Sequence, residues 1–339
     1  LLIVAGDMSE GPSPLIEMFT ACWRTRTIYE AVRLGLVDGL AQGPQHAVDL
    51  AAPSGLDVDA THRVLRALAT IGVTRQLGTG RFELTALGQP LRSDVSPSLR
   101  GMALHWGGRL WQSLGSIGGT LETGKPGMSS GPEDFLAMQA NPQDAEVFNR
   151  AMAEQSEAIG AAVADAYDFS RFGTIMDVGG GYGAVLAAIL LRHEGLKGAS
   201  FDLPVVGPKA LDYLARLGVS DRAGFLGGSF FEDIPTGADC LVLKYILHDW
   251  NDAYCGKLLD ACRRALKAGD TVLVIEQIVP EIVDSSDEGI LRGDLIMLTV
   301  GGKERTESEY RALLDGVDLP VVGIQAVAAG FSIIECRAR

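Results

Sequence analysis

The residues of this chain with chemistry to offer are a glycine-rich turn, an acid one strand later and a histidine at a strand end. Residues 174–178 read as a strand that runs into Gly179-Gly180-Gly181-Tyr182-Gly183 and then an apolar helix over 184–191. A strand, a glycine turn and a helix together aim backbone N–H groups and the helix dipole at a ligand. Glycine is needed because a Cβ would block close approach and some positions require positive φ. Asp202 ends the next strand, where a carboxylate accepts hydrogen bonds from both ribose hydroxyls of an adenosine. Gly227-Gly228-Ser229-Phe230-Phe231 follows the third strand and offers a ring to lie against adenine and polar groups for its edge. Lys244 ends the fourth strand on the same carboxyl edge. Gly179-x-Gly181-x-x-Ala184 also satisfies the dinucleotide fingerprint, so a nicotinamide enzyme competes with other adenosine-bearing cofactors at this level.

Five histidines are candidates for proton transfer. His46, His62 and His193 stand in loop or helix contexts without a partner motif and read as surface residues. His105 sits beside Trp106 in an apolar helix, either lining a pocket or packing. His248 differs because it follows the fourth strand, at the edge where open α/β sheets bind ligands. An imidazole, with an ordinary pKa of about 6.5, accepts a proton well at neutral pH.

The elements that must position these groups fall into two domains, 1–165 and 166–339. The first reads as helix after helix. Apolar residues at helical spacing over 15–40 (Ile16, Phe19, Trp23, Ala31, Leu34) predict a helix, and Asp59 caps another over 60–71. A hairpin follows over 73–77 and 81–85, around Gly78-Thr79-Gly80. Helix, helix and a two-stranded wing form a winged-helix layout. DNA binding requires a basic stripe, yet lysine is absent from the first hundred residues and acids offset the arginines, so the module reads as dimerisation or packing. Beyond 166, strands at 174–178, 198–203, 223–226, 239–244, 271–277 and 331–336 alternate with helices at 206–217, 253–266 and 307–316. That alternation predicts a doubly wound α/β sheet covered on both faces.

With 339 residues, 47% hydrophobic and 21% charged, the chain has the balance of a two-domain globular protein. A formal net charge of −14 repels nucleic acid and anionic lipid. Five scattered cysteines show no metal-ligand spacing and suit a reducing cytosol. Leu1 to Ala5 is too short and lacks the flanks of a secretory signal, and no stretch approaches a membrane span. A cytoplasmic enzyme without a bound metal is the expectation. The chain does not begin with Met, so residues preceding Leu1 are left open.

Asp177-Val178-Gly179-Gly180-Gly181-Tyr182-Gly183, Phe201-Asp202-Leu203-Pro204, Leu243-Lys244-Tyr245-Ile246-Leu247-His248-Asp249-Trp250 and Gly301-Gly302-Lys303-Glu304-Arg305 occur in that order. Together they closely resemble the S-adenosylmethionine (SAM)-dependent O-methyltransferases of the caffeate O-methyltransferase-like family, in its bacterial natural-product branch. The resemblance covers nearly the whole chain. It implies a Rossmann-like SAM-binding sheet and a winged-helix-like N-terminal domain that forms a homodimer through its helices. It implies that Gly179 and Gly181 cradle the methionine part of SAM, that Asp202 binds its ribose, that Ser229 and Phe230 flank adenine and that Lys244 hydrogen-bonds to the cofactor. Ser229 stands where the family usually has an acid, so Glu232 or Asp233 is an alternative contact. The resemblance makes His248 the general base, flanked by Glu276 and Glu304. It places Phe148, Met152, Asp294 and Met297 along an aromatic acceptor's pocket between the domains. A hydroxyl acceptor is expected, with N-methylation or N-oxide methylation as the alternative.

Overall fold

A computed structural model of the chain describes residues 14–128 and 131–339. The apolar stretch at the start of the sequence lies outside them. The chain divides into two compact units, one ending at Arg109 and the other beginning at Leu110. Residues 110–165, expected in the first domain, thus fall in the second. The physical reason is the long helix Pro142–Ala166, whose Ile159 and Val163 share an apolar core with Val185, Leu186 and Ile189 of the helix Ala184–Arg192. Gly160 permits the close crossing, since a Cβ there would lie 3.0 Å from Ala188.

In the first unit, 15–40 is three helices rather than one: Pro14–Thr20, Cys22–Arg33 and Leu36–Gly39. The chain turns at Gly35, whose φ of 78° interrupts the helix. The next long helix, Val58–Thr70, is capped by Asp57 and not Asp59. The Asp57 carboxylate accepts from the Ala60 amide at 2.8 Å, and Asp59 lies inside the first turn. Strands β1 (Thr74–Gln76) and β2 (Phe82–Leu84) pair antiparallel and complete the wing. Val32, Leu36, Leu65, Leu68 and Phe82 form this unit's core. The helix Pro14–Thr20 buries none of its residues.

The second unit carries an eight-stranded sheet: β3 (Thr174–Val178), β4 (Lys197–Asp202), β5 (Ala223–Gly227), β6 (Cys240–Lys244), β7 (Thr271–Val279), β8 (Arg305–Thr306), β9 (Val321–Ala326) and β10 (Phe331–Arg337). Their order is β5-β4-β3-β6-β7-β10-β9, with β8 beside the end of β7. The pairs β5-β4, β4-β3, β3-β6 and β6-β7 are parallel, whereas β10 runs antiparallel to β7 and β9. All five residues of β6 are buried, as a central parallel strand requires. The sheet reverses its winding between β3 and β6, so a crevice opens at the carboxyl ends of those strands. No helix among the described residues is long and apolar enough to cross a membrane.

Candidate functional site

The carboxyl edge gathers the residues expected to bind a cofactor. Beyond β3, Gly179, Gly181 and Gly183 all adopt positive φ. Gly181 is the informative one, because a Cβ there would project into open space while its amide donates to Asp202 Oδ2 at 2.8 Å. Asp202 Oδ1 accepts from its neighbour Leu203 at 2.6 Å, so the carboxylate is aimed from two sides. Burial pushes the Asp202 carboxyl up, and those two amides pull it back.

A pocket lies beside Asp202, walled by Pro132, Phe135, Leu136, Ser229, Phe230 and Trp250 among others. An acid in the wall of an apolar slot that carries four aromatic rings has the chemistry to meet a ribose joined to a flat base. Glu232 and Asp233 are exposed and absent from its walls, so the alternatives to Ser229 do not reach it. The backbone explains this: Glu232 N donates to Ser229 O, and the chain turns both acids outward. Ser229 Oγ accepts from Phe231 N at 3.3 Å. Phe135, Leu136 and Pro132 belong to the helix Pro132–Ala140, whose pocket role sequence reasoning missed. Trp250 stood in the Leu243–Trp250 run, but it too was given no pocket role from sequence. Lys244 is not brought to this pocket. Its ammonium donates to Gln155 and Ser156 of the helix Pro142–Ala166, each at 3.2 Å, and burial pushes it down to about 8.

His248 lies on a single helical turn, Leu247–Asp249, just after β6. It is buried, and its Nδ1 stands 2.7 Å from Glu304 Oε1, itself buried. Its Nε2 lies 3.5 Å from Asp249 Oδ1. Burial pushes the imidazole pKa down, but the carboxylates of Asp249, Glu304 and Glu276 outweigh it and hold His248 at about 9. Glu276 is brought close, with one donor atom each of His248, Glu276 and Glu304 lying within 4.8 Å of the others. It does not hydrogen-bond to the imidazole, however. Glu276 Oε1 accepts from the Ile246 and Leu247 amides at 3.0 and 2.9 Å, and more weakly from His248 N at 3.4 Å. Glu304 thus orients the ring, while Glu276 holds the backbone beneath it. Burial pushes the Glu276 carboxyl up against the pull of His248 and the Ile246 amide.

The loop carrying Glu304 is docked on that turn. Lys303 N donates to His248 O at 2.8 Å, and Gly302 comes so close that a Cβ would fall 1.9 Å from the same oxygen. Arg305 is almost wholly buried, and its guanidinium donates to Leu247 O and Trp250 O, each at 2.8 Å, and to Asp252 Oδ1 at 2.7 Å. Arg305 and Gly302 were legible only as parts of a run in which Glu304 alone was given a role.

The expected acceptor-lining residues separate. Asp294 Oδ1 accepts from Glu304 N at 2.9 Å and so braces the loop that carries Glu304. Met297 O receives the Gly301 and Gly302 amides, which ends the helix Glu288–Val300. Phe148 meets Phe135 edge-on at 5.6 Å, and Met152 lies one turn further, half-buried. Among the other histidines, His46 is exposed. His62 and His193 are half-buried rather than surface residues: His62 packs edge-on against Phe82, and His193 Nε2 lies 3.4 Å from Ala164 O. Both occupy faces that turn inward although their neighbours are polar. His105 is buried, and burial pushes its pKa down to about 4.

Comparison with known proteins bears directly on this geometry. A family model described as the O-methyltransferase domain matches residues 125–318, and one described as the O-methyltransferase dimerisation domain matches residues 16–94. The chain is 36% identical over 328 residues to the phenazine O-methyltransferase PhzM of Lysobacter antibioticus, covering 96% of each. It is 36% identical to the mitomycin biosynthesis 6-O-methyltransferase of Streptomyces lavendulae, covering 95% of this chain and 93% of that one. Among solved structures, an O-methyltransferase from neocarzinostatin biosynthesis, in complex with SAM and 2-hydroxy-5-methyl naphthoic acid, superposes with a TM-score of 0.78. It is 31% identical, with 93% of this chain and 96% of that one covered.

Proposed function

The chain belongs to the SAM-dependent O-methyltransferases, with both the dimerisation domain and the methyl-transfer domain of that family, and from that premise we propose that it methylates a hydroxyl on a small aromatic natural product with His248 as the general base. The nicotinamide alternative falls, because the matched methyl-transfer domain contains the glycine turn, Asp202, His248 and Glu304. A multi-ring acceptor such as a phenazine or a naphthoate is favoured by what the relatives are named for or crystallised with.

The observation that carries the reading is the buried His248–Glu304 pair at the carboxyl edge. SAM supplies an electrophilic methyl group and leaves as S-adenosylhomocysteine. Asp202 would hold its ribose and the Gly179–Gly181 turn its methionine part, with Phe230 and Ser229 against its base. What remains for the protein is to orient the acceptor and remove its proton. A phenol, with a pKa of about 10, is scarcely ionised at neutral pH. His248 Nε2 takes the hydroxyl proton as the oxygen lone pair forms the new bond to carbon. Glu304, on Nδ1, fixes the tautomer and stabilises the imidazolium that results. Glu276 keeps the turn beneath the ring in place.

Two further readings accompany this one. The dimerisation domain would form a homodimer through its N-terminal helices, where Leu15, Met18 and Phe19 are exposed on a helix that buries nothing within its own chain. Five free cysteines, four of them buried, suit a cytosolic enzyme. The activity is tested by incubating the protein and labelled SAM with matched panels of hydroxylated and aminated phenazines and naphthoates. Label in the hydroxylated series supports the proposal, whereas label only in the aminated series identifies an N-methyltransferase.

A further inference from the structure

We infer that Tyr245 is a positioning residue that fixes the plane of the His248 imidazole, an inference that rests on His248 being the base. Tyr245 follows the last residue of β6. Its φ of 55° is left-handed, a conformation that bulky side chains avoid and that persists where the surroundings impose it. Its amide still donates to Ile275 O of β7 at 3.1 Å, so the chain leaves the sheet at this residue. The next amides, those of Ile246 and Leu247, thereby turn onto Glu276.

The side chain is placed as deliberately as the backbone. The Tyr245 ring lies flat on the imidazole of His248, with centroids 4.1 Å apart and planes only 15° from parallel. Its hydroxyl donates to Gln277 Oε1 at 2.7 Å, and Gln277 Nε2 donates in turn to Ala329 O at 2.9 Å. Phe331 packs against the same ring at 4.6 Å, and the Lys244 ammonium lies 4.5 Å from its centroid. Glu304 alone does not determine the imidazole's plane, because one hydrogen bond at Nδ1, with Asp249 3.5 Å from Nε2, still lets the ring rotate through an arc about its Cβ–Cγ bond. A stacked face removes that rotation and so fixes where Nε2 points. The charged groups around the imidazole (Asp249, Glu304 and Glu276) set its proton affinity. Tyr245 sets its geometry.

The test compares three substitutions at Tyr245 with His248→Ala, measuring kcat, KM for SAM and S-adenosylhomocysteine affinity. Tyr245→Leu removes the ring and should lower kcat about ten- to a hundredfold, the cost of a misaligned base, with cofactor affinity and KM for SAM held. Tyr245→Phe keeps the stack and should restore kcat to within about threefold of the native enzyme. Tyr245→Asn suits the left-handed backbone but has no aromatic face, and it should be as slow as the Leu variant. Wild-type kcat in the Asn variant would show that only the backbone conformation matters and overturn the inference. So would a Leu variant that loses kcat and cofactor binding together. If the Leu variant does not fold, the contrast of Phe with Asn decides alone. An inactive His248→Ala beside a fully active Tyr245→Leu sinks only this inference, whereas an active His248→Ala sinks the base reading and this one with it.

Discussion

At the scale of single residues, His248 must be neutral to accept a proton, yet three carboxylates hold its pKa at about 9. The acid limb of the pH–rate profile should therefore lie on the alkaline side of neutrality, with activity rising from pH 7 toward about 9. Glu304→Gln removes one of the charges that raise that pKa. Its limb should move to lower pH, while kcat falls about tenfold or more because the imidazolium loses its charged partner. A limb that stays in place or moves up in this variant would contradict the assignment. Asp202→Ala should weaken S-adenosylhomocysteine binding by roughly ten- to a hundredfold in a calorimetric titration, the worth of one or two hydrogen bonds to a charged group. Unchanged binding would remove Asp202 from the ribose contact. Asp202 and His248 stood out in the sequence because each follows a strand at the carboxyl edge, whereas Glu304 was singled out only through the family resemblance. The division of labour between the two glutamates was not legible, because sequence order does not say whether a carboxylate meets a side chain or a backbone.

At the scale of elements, the turn Leu247–Asp249 is held by groups from other elements: Glu276 below, the Gly302-Lys303 backbone on one side and the Arg305 guanidinium on the other. Arg305→Ala would take the charged donor from the buried carbonyls of Leu247 and Trp250, leaving them only the longer contacts from Trp250 N and the Cys255 thiol, and should cost about 2–4 kcal/mol. That is roughly 5–15 °C in melting temperature for a unit of this size, read by thermal unfolding. A variant melting within a degree of the native protein would show that other donors replace the guanidinium. The six expected strands all exist; β3, β6, β7 and β10 carry buried apolar residues, whereas β5 buries only Ala223 and was legible from the strand–helix alternation. Strand β9 escaped notice because Val321–Ala326 mixes glycine and glutamine with its apolar residues at an edge of the sheet. The helix Glu288–Val300 escaped because its apolar residues are spread around the axis, with Ile296 buried while Leu295 and Leu298 are exposed. The helix Pro132–Ala140 shows a similar limit, as nothing local to Phe135 says that its ring meets Trp250 far along the chain.

At the scale of the whole molecule, the matched dimerisation domain and the exposed apolar side chains of Pro14–Thr20 argue that the working unit is a pair of chains. Light scattering should return a dimer, and Phe19→Asp should shift it toward monomer by placing a charge among those side chains. A native protein that scatters as a monomer at micromolar concentration would remove that expectation. The two-domain plan was legible in the change from helical runs to strand–helix alternation, but the boundary was not. Helical residues 110–165 look like the first domain by composition and belong to the second by packing, because the face of Pro142–Ala166 complements the helix after the glycine turn. The rate of methyl transfer itself depends on the base. In single turnovers with saturating SAM and an accepted hydroxylated substrate, His248→Ala should transfer the methyl group about 10²–10⁴-fold more slowly than the native enzyme while binding S-adenosylhomocysteine equally well. A variant that transfers methyl within threefold of the native rate would mean that His248 is not the base.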